Sequence, residues 1–222
     1  MPLCRVCLLA GLILFLGGTG RAAVIADFVT DFSTIANPNG AWRYGVVPSF
    51  GGGLSVFTNL LDASEVGVQR YDWNDGPRTP LVGVLIPDTL PSWGILHPGG
   101  SGVFATAQFI AQTNFIGFWN VTFQDGHAAT TDVHVLRNGV SLFSDGIDTL
   151  NPSQTFQATL AITAGDVFEF IAGPGPGGNI SFDTTFFSAS VSEAILPEPA
   201  SIGLMLTGLV VLGAVRRRVS GF

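Results

Sequence analysis

Residues 131–144, TDVHVLRNGVSLFS, decide the fold class of this chain. Short runs of alternating apolar and polar residues flank Asn138-Gly139, which is the pattern of strands with one buried face. Asn-Gly is the strongest short-range hairpin signal, because a type I′ turn needs a positive φ at both central residues. Residues 131–137 and 140–144 are therefore predicted to be the two strands of a β-hairpin.

Similar strand-type runs recur along the rest of the chain. They cover residues 24–32, 42–46, 54–57 and 82–86 in the first half, and 103–111, 115–123, 156–162, 167–171 and 180–191 in the second. Turn residues separate the runs and are densest between positions 62 and 98. No stretch has a convincing helical period. The sequence predicts an all-β fold, a single β-sandwich of jelly-roll type.

The first 23 residues have the order of a Sec-type signal peptide. Arg5 precedes an apolar segment at residues 6–16, and small residues suited to cleavage follow around Ala22 or Ala26. Export by the Sec machinery is therefore expected. Both cysteines, Cys4 and Cys7, lie in this segment. The predicted sandwich domain, residues 24–196, thus has no disulfide or thiolate ligand and depends on its core.

The remaining residues, 197–222, form a tail in three parts. The triplet Pro197-Glu198-Pro199 comes first, and the uncharged residues 200–215 follow. As a helix this apolar run spans about 24 Å, somewhat less than a bilayer core. The tail then carries three consecutive arginines, Arg216, Arg217 and Arg218. Arginines stay on the cytoplasmic side, so the sequence predicts a short inner-membrane helix with the domain outside.

This order of proline triplet, apolar helix and arginine cluster resembles the PEP-CTERM sorting signal of Gram-negative bacteria. The resemblance implies recognition by an exosortase and cleavage near the triplet. It also implies a membrane-anchored intermediate that is later displayed at the cell surface or released outside the cell. An ordinary membrane anchor without processing is the alternative.

Charge excludes one class of partner. The whole chain has 16 acidic residues, 9 arginines and no lysine. Four of the arginines and fifteen of the acidic residues fall within residues 24–196, which gives this part a formal charge of −11. Such a domain is repelled by nucleic acid, so no nucleic-acid partner is expected.

Catalytic and metal-binding patterns are weak. His97, His127 and His134 lack the spacing of a zinc site, and Ser101 lacks the glycine two residues later that a nucleophile elbow needs. The pairs Asp72/Asp75 and Asp145/Asp148 lie in turn-like stretches, where aspartate serves the turn itself. We therefore expect no enzyme activity, no cofactor and no catalytic metal ion. A structural calcium ion remains open, at Asp72-Trp73-Asn74-Asp75-Gly76 or at Asp183.

Aromatic residues are the candidates for ligand binding, because sugars stack on exposed flat rings. Trp73 lies between Asp72 and Asn74 in a loop-like stretch, while Trp42 and Tyr44 share one strand face. These three are the predicted ligand-binding residues, with burial in the core as the alternative for each. Trp119, in a phenylalanine-rich run, is predicted to be core.

The domain also resembles a recurrent module of exported bacterial proteins. The residues that carry this resemblance are 37–45 (NPNGAWRYG), 97–99 (HPG), 132–135 (DVHV), 138–139 (NG), 164–166 (AGD) and 183–185 (DTT). Such modules are similar to carbohydrate-binding or TNF-like sandwiches. The expected function is thus a non-enzymatic exported surface or matrix protein. The alternatives are a carbohydrate-binding module for extracellular polysaccharide and, third, a polysaccharide hydrolase.

Overall fold

The computed structural model describes residues 22–76, 80–100, 102–128, 130–178 and 180–194. The predicted signal peptide up to residue 21, the sorting tail with its proline triplet and arginines, and Ser101 lie outside the described residues. Within the described residues, no helix is long and apolar enough to cross a membrane.

The described chain is a sandwich of two antiparallel sheets. Its strands are β1 (Val24–Asp27), β2 (Trp42–Val47), β3 (Ser55–Val56), β4 (Leu60–Asp62), β5 (Val68–Trp73), β6 (Leu81–Pro87), β7 (Trp93–His97), β8 (Phe104–Ile110), β9 (Phe115–Asp125), β10 (Thr131–Arg137), β11 (Val140–Ile147), β12 (Ser153–Ile162), β13 (Val167–Gly173) and β14 (Thr185–Glu193). One short helix, α1 (Phe28–Asp31), follows β1.

The strand order is that of a jelly roll with additions. The larger sheet has the order β12-β9-β14-β7-β6-β5-β4, with β1 also paired to β14, and the smaller sheet has the order β11-β10-β13-β8-β2-β3. Strands β1 and β8–β14 alone make the two four-stranded sheets β1-β14-β9-β12 and β8-β13-β10-β11 of a jelly roll. The predicted fold class is therefore confirmed.

The hairpin predicted at Asn138-Gly139 is present. Its two central residues have φ values of 53° and 78°, and Arg137 pairs directly with Val140 across the turn. The turn is also tied to the turn between β12 and β13. The Asp166 carboxylate accepts hydrogen bonds from Arg137 Nη2 at 2.5 Å and Asn138 Nδ2 at 2.7 Å. This end of the sandwich is thus fixed by charge as well as by backbone pairing.

The first predicted strand, residues 24–32, is wrong in its second half. The strand ends at Asp27, whose Oδ1 accepts a hydrogen bond from Thr30 N at 3.0 Å and so caps the single turn of α1. The turn directs Phe28 into the core, where its ring lies 4.3 Å from that of Phe187. The chain leaves the sheet here because capping and aromatic burial outweigh continued pairing.

The turn-rich region predicted between positions 62 and 98 is wrong to a larger extent. It contains β5, β6 and β7 and follows β4, and these four strands, hereafter the inserted strands, extend the larger sheet. The sequence predicts only one strand there, at residues 82–86, and this strand corresponds to β6. Gly83, Gly94 and several prolines obscure the pattern, because the glycines serve close packing rather than turns. A Cβ on Gly94 would lie 2.6 Å from ring atoms of both Phe28 and Phe187.

The core lies between the two sheets and is mainly aromatic. Trp119 from the larger sheet packs on Phe168 and Phe170 of the smaller one, with ring centroids 4.9 and 5.2 Å apart. Trp119 is fully buried, as predicted. With no disulfide in the described chain, these edge-on and tilted ring contacts and the area they bury hold the sheets together.

Candidate functional site

Strand alternation creates a distinctive outer face on the larger sheet. Along β5, Arg70 and Asp72 point away from the core, while Trp73 is buried and packs in it. The pairing register places Asp72 beside Gly83, Gly83 beside Ile95, and Ile95 beside Phe186. This row crosses from the inserted strands to β14, so the inserted strands and the jelly roll share one outer face.

Two loops cover one end of this face. The β9–β10 loop and the β13–β14 loop are joined by a hydrogen bond from Gly126 N to Thr184 O at 2.9 Å and by another from Thr130 N to Asp183 Oδ1 at 3.1 Å. Between the loops and the strands lies a pocket of about 400 Å³, hereafter the sheet pocket. It is lined by Arg70, Leu85, Ile95, His97, Gly126, His127, Phe182, Thr184 and Phe186.

Arg70 is held by a buried carboxylate beneath the sheet pocket. Its Nε lies 2.9 and 3.2 Å from the two oxygens of Asp72, and Asp72 is only 1% exposed. Burial raises the pKa of the Asp72 carboxyl, and Arg70 and His97 oppose that rise. The opposite residue is Gly83, where a Cβ would collide with Asp72 Oδ1. A glycine in β6 is therefore required to seat this ion pair.

Two histidines reach the sheet pocket from different parts of the chain. His97, at the end of β7, has Nδ1 2.9 Å from Pro98 O. A carbonyl can only accept, so Nδ1 is the donor in this contact and Nε2 stays available to the pocket. His127 lies in the β9–β10 loop, and its ring meets that of Phe182 edge-on at 4.8 Å. The sheet pocket thus offers polar ring nitrogens next to an apolar surface.

Phe182 stands out in both backbone and exposure. Its φ is 72°, a left-handed conformation that is rare for a bulky residue, and its side chain is 62% exposed. Phe186, at the adjacent edge of the pocket, stacks on Trp93 with ring centroids 6.3 Å apart. Backbone strain that places a large apolar ring in solvent is typical of a functional position.

Asp183 lies behind Phe182 and is fully buried. Thr130 N donates to its Oδ1, and its Oδ2 has no hydrogen-bond partner among the described residues. Burial raises the pKa of the Asp183 carboxyl. This aspartate ties the two loops together but does not line the sheet pocket. The described residues contain no group of three or more histidine, cysteine, aspartate or glutamate side chains placed to hold a metal ion.

Beyond the sheet pocket the outer face continues as an uncharged polar surface. Next to Phe186, the outward residues of β9, β12 and β14 are serine, threonine, asparagine and glutamine (Asn120, Thr122, Thr155, Gln157, Ser188 and Ser190), and the apolar Phe118 and Ile116 follow further along β9. Gln157 Nε2 donates to Asn120 Oδ1 at 2.9 Å across the strands. These groups can both donate and accept hydrogen bonds.

The predicted aromatic ligand-binding residues are corrected by their burial. Trp42 and Tyr44 share a strand face as expected, but it is the inner one, and they are 1% and 0% exposed. Trp73 is a strand residue rather than a loop residue, and its Nε1 donates to Ser33 O at 2.8 Å. All three belong to the core. None is the exposed ring that was predicted, because each is packed against other core side chains.

The predicted acidic sites have structural partners instead. Asp75 Oδ1 accepts from Thr58 N and Asn59 N at 2.8 and 3.0 Å, so it and Asp72 serve different contacts and form no calcium loop. Asp148 Oδ1 accepts from Leu150 N and Asn151 N, both at 2.7 Å, as an aspartate does in a turn. His134 lies on the other sheet and bonds Asp132 Oδ2 at 2.7 Å.

A second pocket of about 390 Å³ lies near the start of the domain, lined partly by Ile25, Ala26, Trp42 and Phe115. Its lining is more apolar than that of the sheet pocket, and its polar side chains are Asp31, Asn39, Gln112 and Thr113. The residues that matter at the sheet pocket, Arg70, Phe182 and Phe186, had no signal in the sequence. Arg70 is more than a hundred positions from Phe182 and Phe186 in the sequence, and the three side chains come together only in the fold.

Comparisons with known proteins give partial structural likenesses only. No family model matches the chain, and no curated protein matches it in sequence. Among solved structures it is similar to a CBM51 module from a Clostridium perfringens GH95 protein, in complex with methyl-galactose: 10% identity, TM-score 0.37, covering 49% of this chain and 72% of that one.

Two other solved structures are similar to a comparable degree. A family 35 carbohydrate-binding module from Clostridium thermocellum has 11% identity and a TM-score of 0.33, covering 60% of this chain and 98% of that one. The catalytic domain of a GH87 α-1,3-glucanase with nigerose has 13% identity and a TM-score of 0.29, covering 48% of this chain and 22% of that one. All three scores are below 0.5, so no site residue is carried over from them.

Proposed function

We propose that this protein is an exported, non-enzymatic carbohydrate-binding protein, and that the sheet pocket and the adjoining polar surface hold an extracellular polysaccharide. The observation that carries the proposal is Phe182, displayed at the pocket rim on a left-handed backbone. A sugar ring has an apolar face of C–H groups and a rim of hydroxyls. An exposed ring beside Arg70, His97 and Thr184 matches that combination.

The polar surface next to the sheet pocket suits a polymer rather than a single sugar. It is uncharged, and its hydroxyl and amide groups match the donor and acceptor pattern of sugar hydroxyls. Its residues lie on β9, β12 and β14, next to Phe186. A chain with one residue in the pocket can thus continue across the sheet.

A binding role is favoured over hydrolysis by the position of the carboxylates. Glycoside hydrolysis generally needs two carboxyl groups that face the scissile bond from opposite sides. Asp72 and Asp183 are buried behind the pocket wall and engaged with Arg70 and Thr130 N, and no described carboxylate lines the pocket.

Binding to polysaccharide from the producing cells tests this proposal. We expect the purified protein to be retarded by that polysaccharide in affinity electrophoresis. Phe182→Ala should weaken binding about tenfold, since burying a phenylalanine side chain contributes on the order of 1.5–3 kcal/mol. Phe50→Ala is the matched control, because Phe50 is also exposed but packs on Phe104 and His134 of the other sheet. Equal affinities for the parent and Phe182→Ala would contradict the proposal.

Export and sorting are the second part of the proposal. The order of proline triplet, apolar run and three arginines supports processing by an exosortase after Sec export. We expect the intact mass of the exported protein to exclude Arg216, Arg217 and Arg218. A mass that retains them would identify the tail as a permanent anchor.

A further inference from the structure

We propose that the sugar bound in the sheet pocket carries a carboxylate, as uronic acids do, and that Arg70 binds this group. The inference rests on the proposed carbohydrate-binding function and names its ligand class. Three features carry it: the sign of the groups that line the pocket, the geometry of Arg70, and the other arginines of the domain.

No described carboxylate lines the pocket, although the domain is strongly acidic. Residues 24–196 have a formal charge of −11, yet the described ionisable residues that line the pocket are Arg70, His97 and His127. The two nearby aspartates lie behind the lining and are 1% and 0% exposed. At about 0.15 M salt, charges beyond roughly 8 Å are largely screened, so the acidic surface elsewhere on the domain acts little on a ligand in the pocket. Asp72 lies 2.9 Å from Arg70 and offsets part of its charge, so binding of a carboxylate depends on the free donors of the guanidinium.

Arg70 is oriented to receive a second carboxylate. Asp72 occupies the Nε side of its guanidinium, and in the described chain neither Nη atom makes a hydrogen bond to protein. The side chain is 34% exposed and lines the pocket. A guanidinium presents its donors in a rigid planar fork that matches a carboxylate with two parallel bonds. Asp72 acts as a positioning residue, because it fixes the plane of the fork.

The other described arginines have different roles. Arg137 donates to Asp166 and to Ala161 O at the far turn, and Arg43 pairs across from Gln108 on the outer face of the smaller sheet. The chain has no lysine. Among the described residues, therefore, Arg70 alone offers a permanent positive charge to the sheet pocket.

The test compares short uronate oligosaccharides with their methyl esters, which keep the sugar but lose the charge. The probes are trimers of galacturonate, glucuronate and mannuronate, each as the free acid and as the methyl ester, and calorimetry measures their affinities. We expect at least one acid form to bind about tenfold or more tightly than its ester. Arg70→Gln should bring the two affinities together. Arg43→Gln, the same charge change on the other sheet, should leave the difference intact.

A second variant covers the risk that Arg70→Gln unfolds the protein by leaving Asp72 unpaired. Arg70→Lys keeps a positive charge beside Asp72 but loses the planar fork of donors. We expect it to remain folded and to lower the preference for the acid form over the ester severalfold. A full preference in Arg70→Lys, or equal losses in Arg70→Gln and Arg43→Gln, would overturn the inference.

The failure of this inference can be told apart from failure of the proposed function. If neutral glycans bind in the pocket, as judged by loss of binding in Phe182→Ala, while no acid form binds better than its ester, the acidic ligand is wrong and carbohydrate binding stands. If neither acidic nor neutral glycans bind, both are wrong.

Discussion

Within the larger sheet, the jelly-roll strands β9, β12 and β14 and the inserted strands bury their residues in different ways. In β12 exposed and half-buried residues alternate along nearly the whole strand, whereas β6 begins with four consecutive buried residues. The jelly-roll strand has one solvated face. In the inserted strands the pocket, the ion pair of Asp72 and the covering loops bury part of the outer face too. A strand covered on both faces loses its period of two, so the pattern disappears where the candidate site is built.

The largest effect is expected in the jelly-roll core. Trp119→Ala should lower the free energy of unfolding by about 3–5 kcal/mol, because it removes a fully buried ring that contacts the opposite sheet. Phe118→Ala, the next residue on the same strand but on the outer face, should lower it by less than about 1 kcal/mol. Denaturant melts of both variants measure the difference. Similar losses in the two would show that β9 has no distinct inner face.

The next largest effect tests whether the inserted strands are part of the same core. Gly94→Val places carbon atoms against Phe28 and Phe187 and should cost about 2–3 kcal/mol by overpacking. Gly146→Val in β11 is the control, since the nearest atom to its Cβ is 4.0 Å away. We expect one cooperative transition at lower denaturant for Gly94→Val. Two separate transitions would mean that the inserted strands unfold independently of the jelly roll.

A third prediction concerns pH and the turn network of the jelly roll. The hydrogen bond that Asp166 accepts from Arg137, together with those from Thr163 N and Asn138, lowers the pKa of Asp166 from 3.8 to about 2. Because the folded state holds the ionised form more strongly than the unfolded one, the stabilisation is present above about pH 4 and is lost as the pH falls towards 2. Asp166→Asn should therefore lower stability by about 2 kcal/mol at pH 7.

The pH series supplies its own control. Near pH 2 the difference between the parent and Asp166→Asn should be only a small part of that at pH 7, since the folded carboxyl is then about half protonated and the unfolded one almost fully. A difference that stays constant from pH 7 to pH 2 would show that the asparagine acts through packing and not through the lost charge.

The smallest effect is expected at the hairpin that reveals the fold. Gly139→Val should cost about 1–2 kcal/mol, because a β-branched residue is strained at a φ of 78°. The new Cβ would also lie 3.2 Å from Gly51 Cα. Gly139→Ala should cost less. If Gly139→Val melts like the parent, the turn does not set the register of β10 and β11.

The sequence was sufficient for the fold where one local signal is decisive. Asn138-Gly139 allows one kind of turn, and the predicted bounds of β10 agree with the structure. It was insufficient at α1, where the cap by Asp27 is visible in the sequence only as an aspartate three residues before a threonine. For the inserted strands, Gly83 lies within the predicted strand 82–86, whereas Gly94 falls in a stretch that is rich in turn residues. Both are strand glycines, which make room for Asp72 and for aromatic rings.

The candidate site was less predictable than the fold, for a different physical reason. Tryptophan was expected to be the exposed ring, but the large rings of Trp42 and Trp73 stabilise the protein most when buried. The exposed ring is Phe182, whose left-handed backbone depends on the loop pairing around Asp183 and Thr130. Such a conformation is set by contacts distant in sequence, which a local pattern does not encode.

The position of β14 also determines how the protein responds to mechanical tension. β14 pairs with β9 over nine residues on one edge and with β7 and β1 on the other, and Glu193 N bonds Ala23 O at 2.8 Å. A tether beyond Glu193 therefore pulls along a central strand and not an edge strand. Antiparallel hydrogen bonds run across the strands, so the load acts on both ladders in shear. Force applied at this end is therefore resisted by the pairing on both edges of β14.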